Sequence, residues 1–355
     1  MFPTDALQTP AANPHLGTLR KTVLLVLRLG IGVGILAYLG KSGQINLSSL
    51  IRLLHEWPIT VAAVGFLLLD IFMMSIRASL LFRNTRLSLS LGNSIQLNLI
   101  GFLFSTFLPG AAGGDIAKLV YATRENHGRR TEVATVLILD RLVGLFSLVL
   151  LPLLFAPFFP DLLRSISVLR RLLYLDALLA GLMLVGAALV MLFVPTRSWV
   201  AWLLGRWPGV KSLALRVLDA MAVHGKGQGA LFLALLLSLL ANMALILVTA
   251  LGLYTVNPVS FSMRLVLVAP IGHLVNSLPL TPGGIGVGET AFNTLFKLTG
   301  MSGGAEALLC LRLWNVLVGS MGMVIYLLGM RRVVYPHEEM PEEAEVGYVE
   351  IESAN

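Results

Sequence analysis

The chain has 355 residues, of which 56% are hydrophobic and 13% charged, with a mean hydropathy of +0.84. That balance excludes a soluble globular protein and describes a polytopic membrane protein. The net charge of +7 is too thin and scattered for nucleic-acid binding and reads as the Lys/Arg bias of cytoplasmic loops; the single cysteine, Cys310, permits no internal disulfide and no cysteine metal site.

Residues 1–19 are polar and hold three prolines, which predicts a disordered cytoplasmic N-terminus. Arg20-Lys21 precedes an apolar run over 22–40. The run is long for a signal peptide and ends without a small-x-small cleavage site, so it predicts a retained helix. Arg28, near its cytoplasmic end, can snorkel to the interface. Further apolar segments fall at 58–82, 91–108, 133–156, 173–194, 230–254, 263–280 and 305–330. Seven glutamates between Glu338 and Glu352 mark residues 333–355 as an acidic cytoplasmic tail.

One phrase occurs twice. Leu108-Pro109-Gly110-Ala111-Ala112-Gly113-Gly114 and Leu278-Pro279-Leu280-Thr281-Pro282-Gly283-Gly284 share the pattern LPxxxGG, 170 residues apart. Each follows an apolar stretch carrying an asparagine (Asn98, Asn276) and precedes an acid (Asp115, Glu289) and then an arginine inside an apolar helix (Arg141, Arg312). Pro and Gly break helices, and a broken helix at membrane depth is tolerated only where it is buried in protein or lines a polar cavity. Paired breaks in two halves point to a transport site.

A helix needs about 20 apolar residues to cross a bilayer. Counting all eight apolar segments as spans, with the N-terminus inside, puts the basic stretches 118–130 and 195–229 outside, nine of the 26 basic residues. Letting each LPxxxGG segment turn back to the face it came from moves both stretches inside. The inner loops then hold 15 Lys/Arg and the outer loops 7, with Arg28, Arg77, Arg141 and Arg312 within spans. The expected fold is therefore an all-α polytopic membrane protein with about six spanning helices and two re-entrant helical hairpins. The hairpin over 91–117 enters from the cytoplasm and that over 263–297 from outside, which makes an inverted repeat of halves at about 20–156 and 173–332 within a transmembrane domain at 20–332.

Helices starting at the glycines would aim free N–H groups and a positive dipole end at a cavity, an arrangement that binds phosphate or carboxylate. The candidates for the pathway are Asn98, Pro109, Gly113, Gly114, Asp115, Lys118, Asp140 and Arg141 in the first half. In the second they are Asn276, Pro279, Thr281, Pro282, Gly283, Gly284, Gly286, Glu289 and Arg312. Asp115 is alternatively a plain N-cap, and Glu289 a member of a structural ion pair. Arg141 and Arg312 either hold a phosphate or pair with Asp115 and Glu289, since an uncompensated charge there costs about 3 kcal/mol on insertion scales. Asp140 points about 100° away from Arg141 around the helix. Asp70 and Arg77, seven apart, share a face turned to the cavity.

The six histidines form no metal-ligand spacing, no GxSxG elbow is present, and the glycines after Gly284 lack the βαβ setting of a dinucleotide fingerprint. Gly40-Lys41-Ser42 ends like a phosphate loop, but its glycine spacing is wrong. No cofactor is expected, and no loop is long enough to hold a soluble catalytic domain.

Asn98, Leu108-Pro109-Gly110, Gly114-Asp115, Lys118, Asp140-Arg141 and Gly144, with Leu278-Pro279, Pro282-Gly283-Gly284-Ile285-Gly286-Val287 and Glu289, resemble the flippase-like family. This is the transmembrane region of lysylphosphatidylglycerol synthases and of stand-alone relatives, and the resemblance covers about 20–330. The family often has an acid and an arginine where this chain has Asp115 and Lys118. The resemblance implies movement of lipids between leaflets of a prokaryotic plasma membrane; the charge count puts both termini in the cytoplasm, and lipid-biosynthesis enzymes are candidate partners. The aminoacyl-transferring domain of the synthases is absent, so a transporter is expected rather than a synthase. The expected cargo is an anionic or polyprenyl-linked lipid. Its drive would be the lipid gradient, downstream consumption, or protons acting on Asp115 and Glu289. A membrane-embedded transferase on lipid-linked sugars and a non-catalytic partner of a lipid-synthesis complex are the alternatives.

Overall fold

The computed structural model describes residues 56–85, 87–107, 112–126, 128–193, 228–260, 262–278, 284 and 286–333. The expected first span at 22–40, the N-terminus, the acidic tail and most of the basic stretch 195–229 lie outside the described residues. The structure is 89% helix, and among the described residues it has no strand. The helices are α1 (Trp57–Asn84), α2 (Leu91–Phe107), α3 (Ala112–Glu125), α4 (Arg130–Phe155) and the short α5 (Pro160–Ser165). They continue with α6 (Ser167–Phe193), α7 (Gln228–Val256), α8 (Leu265–Ser277), α9 (Val287–Leu298) and α10 (Gly304–Val333).

Among the described residues four stretches, Trp57–Asn84, Arg130–Phe158, Gly229–Val256 and Gly304–Ile325, are long and apolar enough to cross a membrane, which makes this a multi-pass membrane protein. Their lipid-side residues are apolar: Val61, Leu68, Leu69 and Phe72 of α1 are exposed, while Asp70, Ser75, Arg77 and Ser79 of the same helix are buried. Polar groups inside and apolar groups outside is the arrangement a hydrocarbon solvent selects. Pro58 starts α1, where its missing N–H costs nothing. At its other end the Thr85 hydroxyl donates to the carbonyl of Phe82.

The two LPxxxGG phrases separate helices of another kind. At 1.5 Å per residue α2, α3, α8 and α9 are about 25, 21, 20 and 18 Å long, all short of a hydrocarbon core of about 30 Å. α2 packs on α3, and α8 on α9. Each pair is also tied at its open end. Asn126, after α3, accepts the backbone N–H of Ser88, before α2, at 2.9 Å and donates back to the Ser88 carbonyl at 2.9 Å. Arg264, before α8, donates to the carbonyl of Thr299, after α9, at 2.7 Å. Each pair is therefore a hairpin with a closed mouth.

The contacts repeat. α2 packs on α10 as α4 packs on α8, α3 on α4 as α9 on α10, and α1 on α4 as α7 on α10. α1 and α7 pack against each other across the repeat. Arg77, late in α1, bonds Ser238, early in α7, so these two helices run antiparallel. Thr60 at the start of α1 meets Trp314 of α10, and Asn257 after α7 meets Ser302 before α10. At the opposite end Arg129, before α4, donates to the Thr85 carbonyl after α1. The two hairpin mouths thus sit at opposite ends of the bundle. Trp314, Phe292 and Phe296, all fully buried, fill its core on the side of the second hairpin.

Two expectations are corrected here. The basic stretch 118–130 is mostly helix: α3 runs to Glu125, leaving 126–129 as the connection. Lys118 consequently stands two turns inside the hairpin and not in a loop. Asp115 is not an N-cap, because it is the fourth residue of α3.

Candidate functional site

Each hairpin carries its acid one turn or less into its second helix, and the following long helix carries the matching arginine. In the first, Arg141 of α4 donates from Nη1 to Asp115 Oδ2 of α3. The side chains are 37% and 43% exposed, so the pair is only partly covered. In the second, Arg312 Nε of α10 donates to Glu289 Oε1 of α9 at 2.7 Å, with side-chain exposures of 23% and 3%. The other Glu289 oxygen accepts the Gly286 N–H at 2.6 Å, which caps the start of α9. Gly286 has φ +86°, a left-handed conformation that only glycine adopts freely. Asn276 Oδ1 accepts a third bond, from Arg312 Nη2, at 3.1 Å. At 1.5 Å per residue, Asp115 and Arg141 lie about 15 Å from the first mouth, and Glu289 and Arg312 about 13 Å from the second. Since the mouths are at opposite ends, both pairs lie well inside the bundle, each about a third of a long helix from its own mouth.

The first half also holds a buried polar chain. Arg77 of α1 grips Asp140 of α4 with two bonds, Nε to Oδ1 at 2.7 Å and Nη2 to Oδ2 at 2.9 Å, and donates from Nη1 to Ser238 of α7 at 2.8 Å. The fork geometry suits a carboxylate, and burial of both ends makes the pairing obligatory. Gly144 leaves the room: a Cβ there would stand 3.0 Å from Arg77 Nη1. Asn98 of α2 donates to Ser75 Oγ at 2.9 Å, and the Ser94 hydroxyl donates to the Ser75 carbonyl at 2.9 Å. Asn242 of α7 donates to Ser147 Oγ at 2.6 Å.

Beside this chain a small cleft lies between α1, α2, α3 and α4, lined by Ser94, Asn98, Lys118 and Asp140 with Phe82, Leu97 and Leu137 among its apolar walls. The stem of Lys118 runs over Gly101, and Gly114 packs on the Gly101 carbonyl so closely that no side chain fits between α2 and α3. Among the described residues Lys118 makes no hydrogen bond and no ion pair. Its surroundings are mixed in sign, with Asp140 and Asp115 attracting it and Arg77 and Arg141 opposing. At the mouth, Asn93 donates to Glu125 at 2.5 Å, while partial burial raises the Glu125 carboxyl above its usual range and this bond works against the rise.

Of the residues singled out in the sequence, the structure thus joins Asp115 to Arg141, Glu289 to Arg312 and Asn276, and Lys118 to a cleft with Asn98 and Asp140. The two asparagines are not equivalent. Asn98 stands ten residues before its Leu-Pro and bonds α1, whereas Asn276 stands two before and bonds the arginine. Pro109, Pro279, Thr281, Pro282 and Gly283 lie outside the described residues. Gly113 opens α3 beside Gly114, and Gly284 has φ +69° against Asn276. Ser75, Ser238 and Asn242 were not legible as site residues: a serine in an apolar helix usually bonds its own i−4 carbonyl, as Ser75 and Ser238 also do. His273, buried on α8, shares a 2.9 Å hydrogen bond with Thr249 of α7 and stacks edge-on with Phe292, a packing role.

A family model described as lysylphosphatidylglycerol synthase TM region matches residues 25–321. No curated protein and no solved structure gives a significant match.

Proposed function

The chain belongs to the lysylphosphatidylglycerol synthase TM region family, a membrane protein of lipid-related function, and from that premise we propose that it moves an amphipathic anionic or polyprenyl-linked lipid between the leaflets of a prokaryotic plasma membrane. In this reading α1, α4, α6, α7, α10 and the segment 22–40 span the bilayer, with both termini cytoplasmic. The α2–α3 and α8–α9 hairpins dip in from opposite faces. The observation that carries the reading is the pairing of two closed-mouth hairpins from opposite ends, each bringing a charged pair well inside the bundle. Irregular backbone and charges at that depth belong to a polar pathway.

The head group would contact Lys118 first. Arg141 and Arg312 are already engaged by acids, and Lys118 stands in the cleft beside the Asn98 amide, one of whose two N–H groups goes to Ser75 Oγ. Acyl or prenyl tails stay in the lipid beside the bundle. The same geometry disfavours a transferase using Asp115 or Glu289 as base, because each carboxylate is already occupied by an arginine. Lipid-biosynthesis enzymes on the cytoplasmic face would be its partners.

Purified protein in vesicles, with fluorescent phosphatidylglycerol or a polyprenyl phosphate in one leaflet, tests this. Faster equilibration than in protein-free vesicles is expected, and Lys118→Gln should slow it at least tenfold. No acceleration with any lipid of the panel would sink the proposal.

A further inference from the structure

One packing in the bundle has no counterpart under the repeat. α4 is packed by α1, α3, α6, α7 and α8, and α10 by α1, α2, α7 and α9. Going from α4 to α10, α2 takes the place of α8, α9 takes that of α3, and α1 and α7 exchange. No described helix packs on α10 as α6 packs on α4. Burial shows the same difference along one stripe of each helix, compared at the 171-residue offset of Arg141 and Arg312. Leu142 and Leu313 are both 42% exposed. Beyond them the helices part. Leu145 is half-buried, and Val149 and Pro152 are buried, whereas Val316, Ser320 and Met323 are exposed. Since the other neighbours of α4 have equivalents on α10, the cover that α10 lacks is the one α6 supplies. Leu169 and Leu173, in the first turns of α6, are buried in one cluster with Leu151 of α4.

We infer that the apolar segment 22–40 of this chain docks on Val316, Ser320 and Met323, packing on α10 as α6 packs on α4. Chain order selects this occupant. α6 is the apolar helix that precedes α7, α7 is the counterpart of α1, and the apolar segment that precedes α1 is 22–40. The connection allows it. α1 starts against α10, where Trp314 Nε1 donates to the Thr60 hydroxyl at 3.3 Å. The sixteen residues 41–56 reach up to about 55 Å when extended. Direction follows as well. α1 and α10 both start at the end of the second hairpin mouth, so a segment that leads into α1 by its C-terminal end runs against α10. α6 runs against α4 in the same way, turned back by α5. Ser320 suits close contact with another helix: it is small, and its hydroxyl is already engaged by the Leu317 carbonyl at 2.6 Å. This packing does not depend on what the protein carries.

Cysteine pairs in the full chain, oxidised with copper phenanthroline in native membranes, test the docking. Met323→Cys and Val316→Cys are each combined with one cysteine at a time over positions 23–39. Cys310 is fully buried and stays as it is. Both fixed positions are exposed, so their substitution leaves the core intact. The same scan from Val149→Cys over positions 168–176 of α6, where the packing is seen, calibrates the chemistry. Disulfides within one chain are expected at positions of 22–40 that recur every three or four residues. Those reached from Met323 should lie about seven residues N-terminal to those reached from Val316, because the two segments run in opposite directions. Three results overturn the docking. Disulfides between two copies would make the face an interface between copies. A blank scan beside a positive calibration would leave it facing lipid. Met323 joined to the C-terminal part of the segment would contradict the antiparallel packing.

Discussion

Removing one end of the Arg77–Asp140 pair should destabilise the bundle far more than removing both. The side chains are 3% and 10% exposed, and two of the three Arg77 hydrogen bonds run to Asp140. Asp140→Asn keeps the shape but leaves a guanidinium buried with Ser238 and an amide as neighbours. Breaking a buried pair in this way costs about 3–5 kcal/mol. Partners found in the membrane-bound unfolded state lower this, so about 3 kcal/mol is the expected value. The double variant Arg77→Met/Asp140→Leu removes both charges and should return to within about 1.5 kcal/mol of the wild type, because apolar replacement of a buried pair is often neutral. Unfolding in mixed detergent micelles, followed by helix signal, compares these variants and the single variants Arg77→Met and Asp140→Leu that complete the cycle. A cost under about 1 kcal/mol for Asp140→Asn, or a double variant less stable than either single one, would refute the reasoning. The half-exposed Arg141–Asp115 pair supplies the contrast. Screened pairs are worth about 1 kcal/mol or less, so Asp115→Asn should barely change unfolding while slowing lipid movement in vesicles.

Gly114→Ala should cost about 1–3 kcal/mol, since its Cβ would press on the Gly101 carbonyl, whereas Gly65→Ala meets nothing within 4 Å and should be neutral or mildly stabilising. Parallel unfolding curves compare them, and equal effects would contradict the close α2–α3 packing. Gly286→Ala forces a side chain onto φ +86° and should cost about 1–2 kcal/mol and loosen the Glu289–Arg312 pair, visible as earlier proteolysis of the second hairpin. In intact cells, a cysteine at exposed position 125 should resist membrane-impermeant maleimide until the membrane is opened. The fully buried Cys310 gives a silent background; labelling of position 125 from outside would reverse the proposed orientation.

Much of the architecture was readable because hydrocarbon imposes a narrow code. Apolar run lengths placed α1, α4, α7 and α10 within a few residues of their observed ends, since backbone groups there have no partner but their own helix. The arginine–acid pairing at both breaks was one of two readings the sequence offers, the other being a phosphate held by the arginines, because a lone charge in an apolar helix demands a partner. Three features were not readable. The Arg77–Asp140 contact joins helices 63 residues apart, and the sequence showed only that Asp140 and Arg141 face different ways. The mouth ties, Asn126 to Ser88 and Arg264 to Thr299, use ordinary polar residues whose meaning lies in their position. Lys118 was assigned to a loop because charge ends a hydrophobic count, whereas α3 continues through it for two more turns.

The repeat explains one part of the charge pattern and leaves another to function. The arginine–acid pair occurs in both hairpins, with Arg141 and Arg312 standing 171 residues apart. It belongs to the duplicated scaffold, where each long helix must hold the tip of the hairpin beside it. The Arg77–Asp140 pair and Asp70 are not duplicated, whereas Lys118 corresponds to Glu289. At the same offset, Asp140 corresponds to Leu311 and Gly144 to Asn315, whose Oδ1 is buried with no partner among the described residues. Scaffold symmetry cannot require charges found in one half alone, and burying them costs stability that an apolar core would not lose. Lys118 and Asp140 line the cleft of the first half, the placement a binding role calls for. Removing Lys118 should therefore change what the protein does to lipid far more than how firmly it folds.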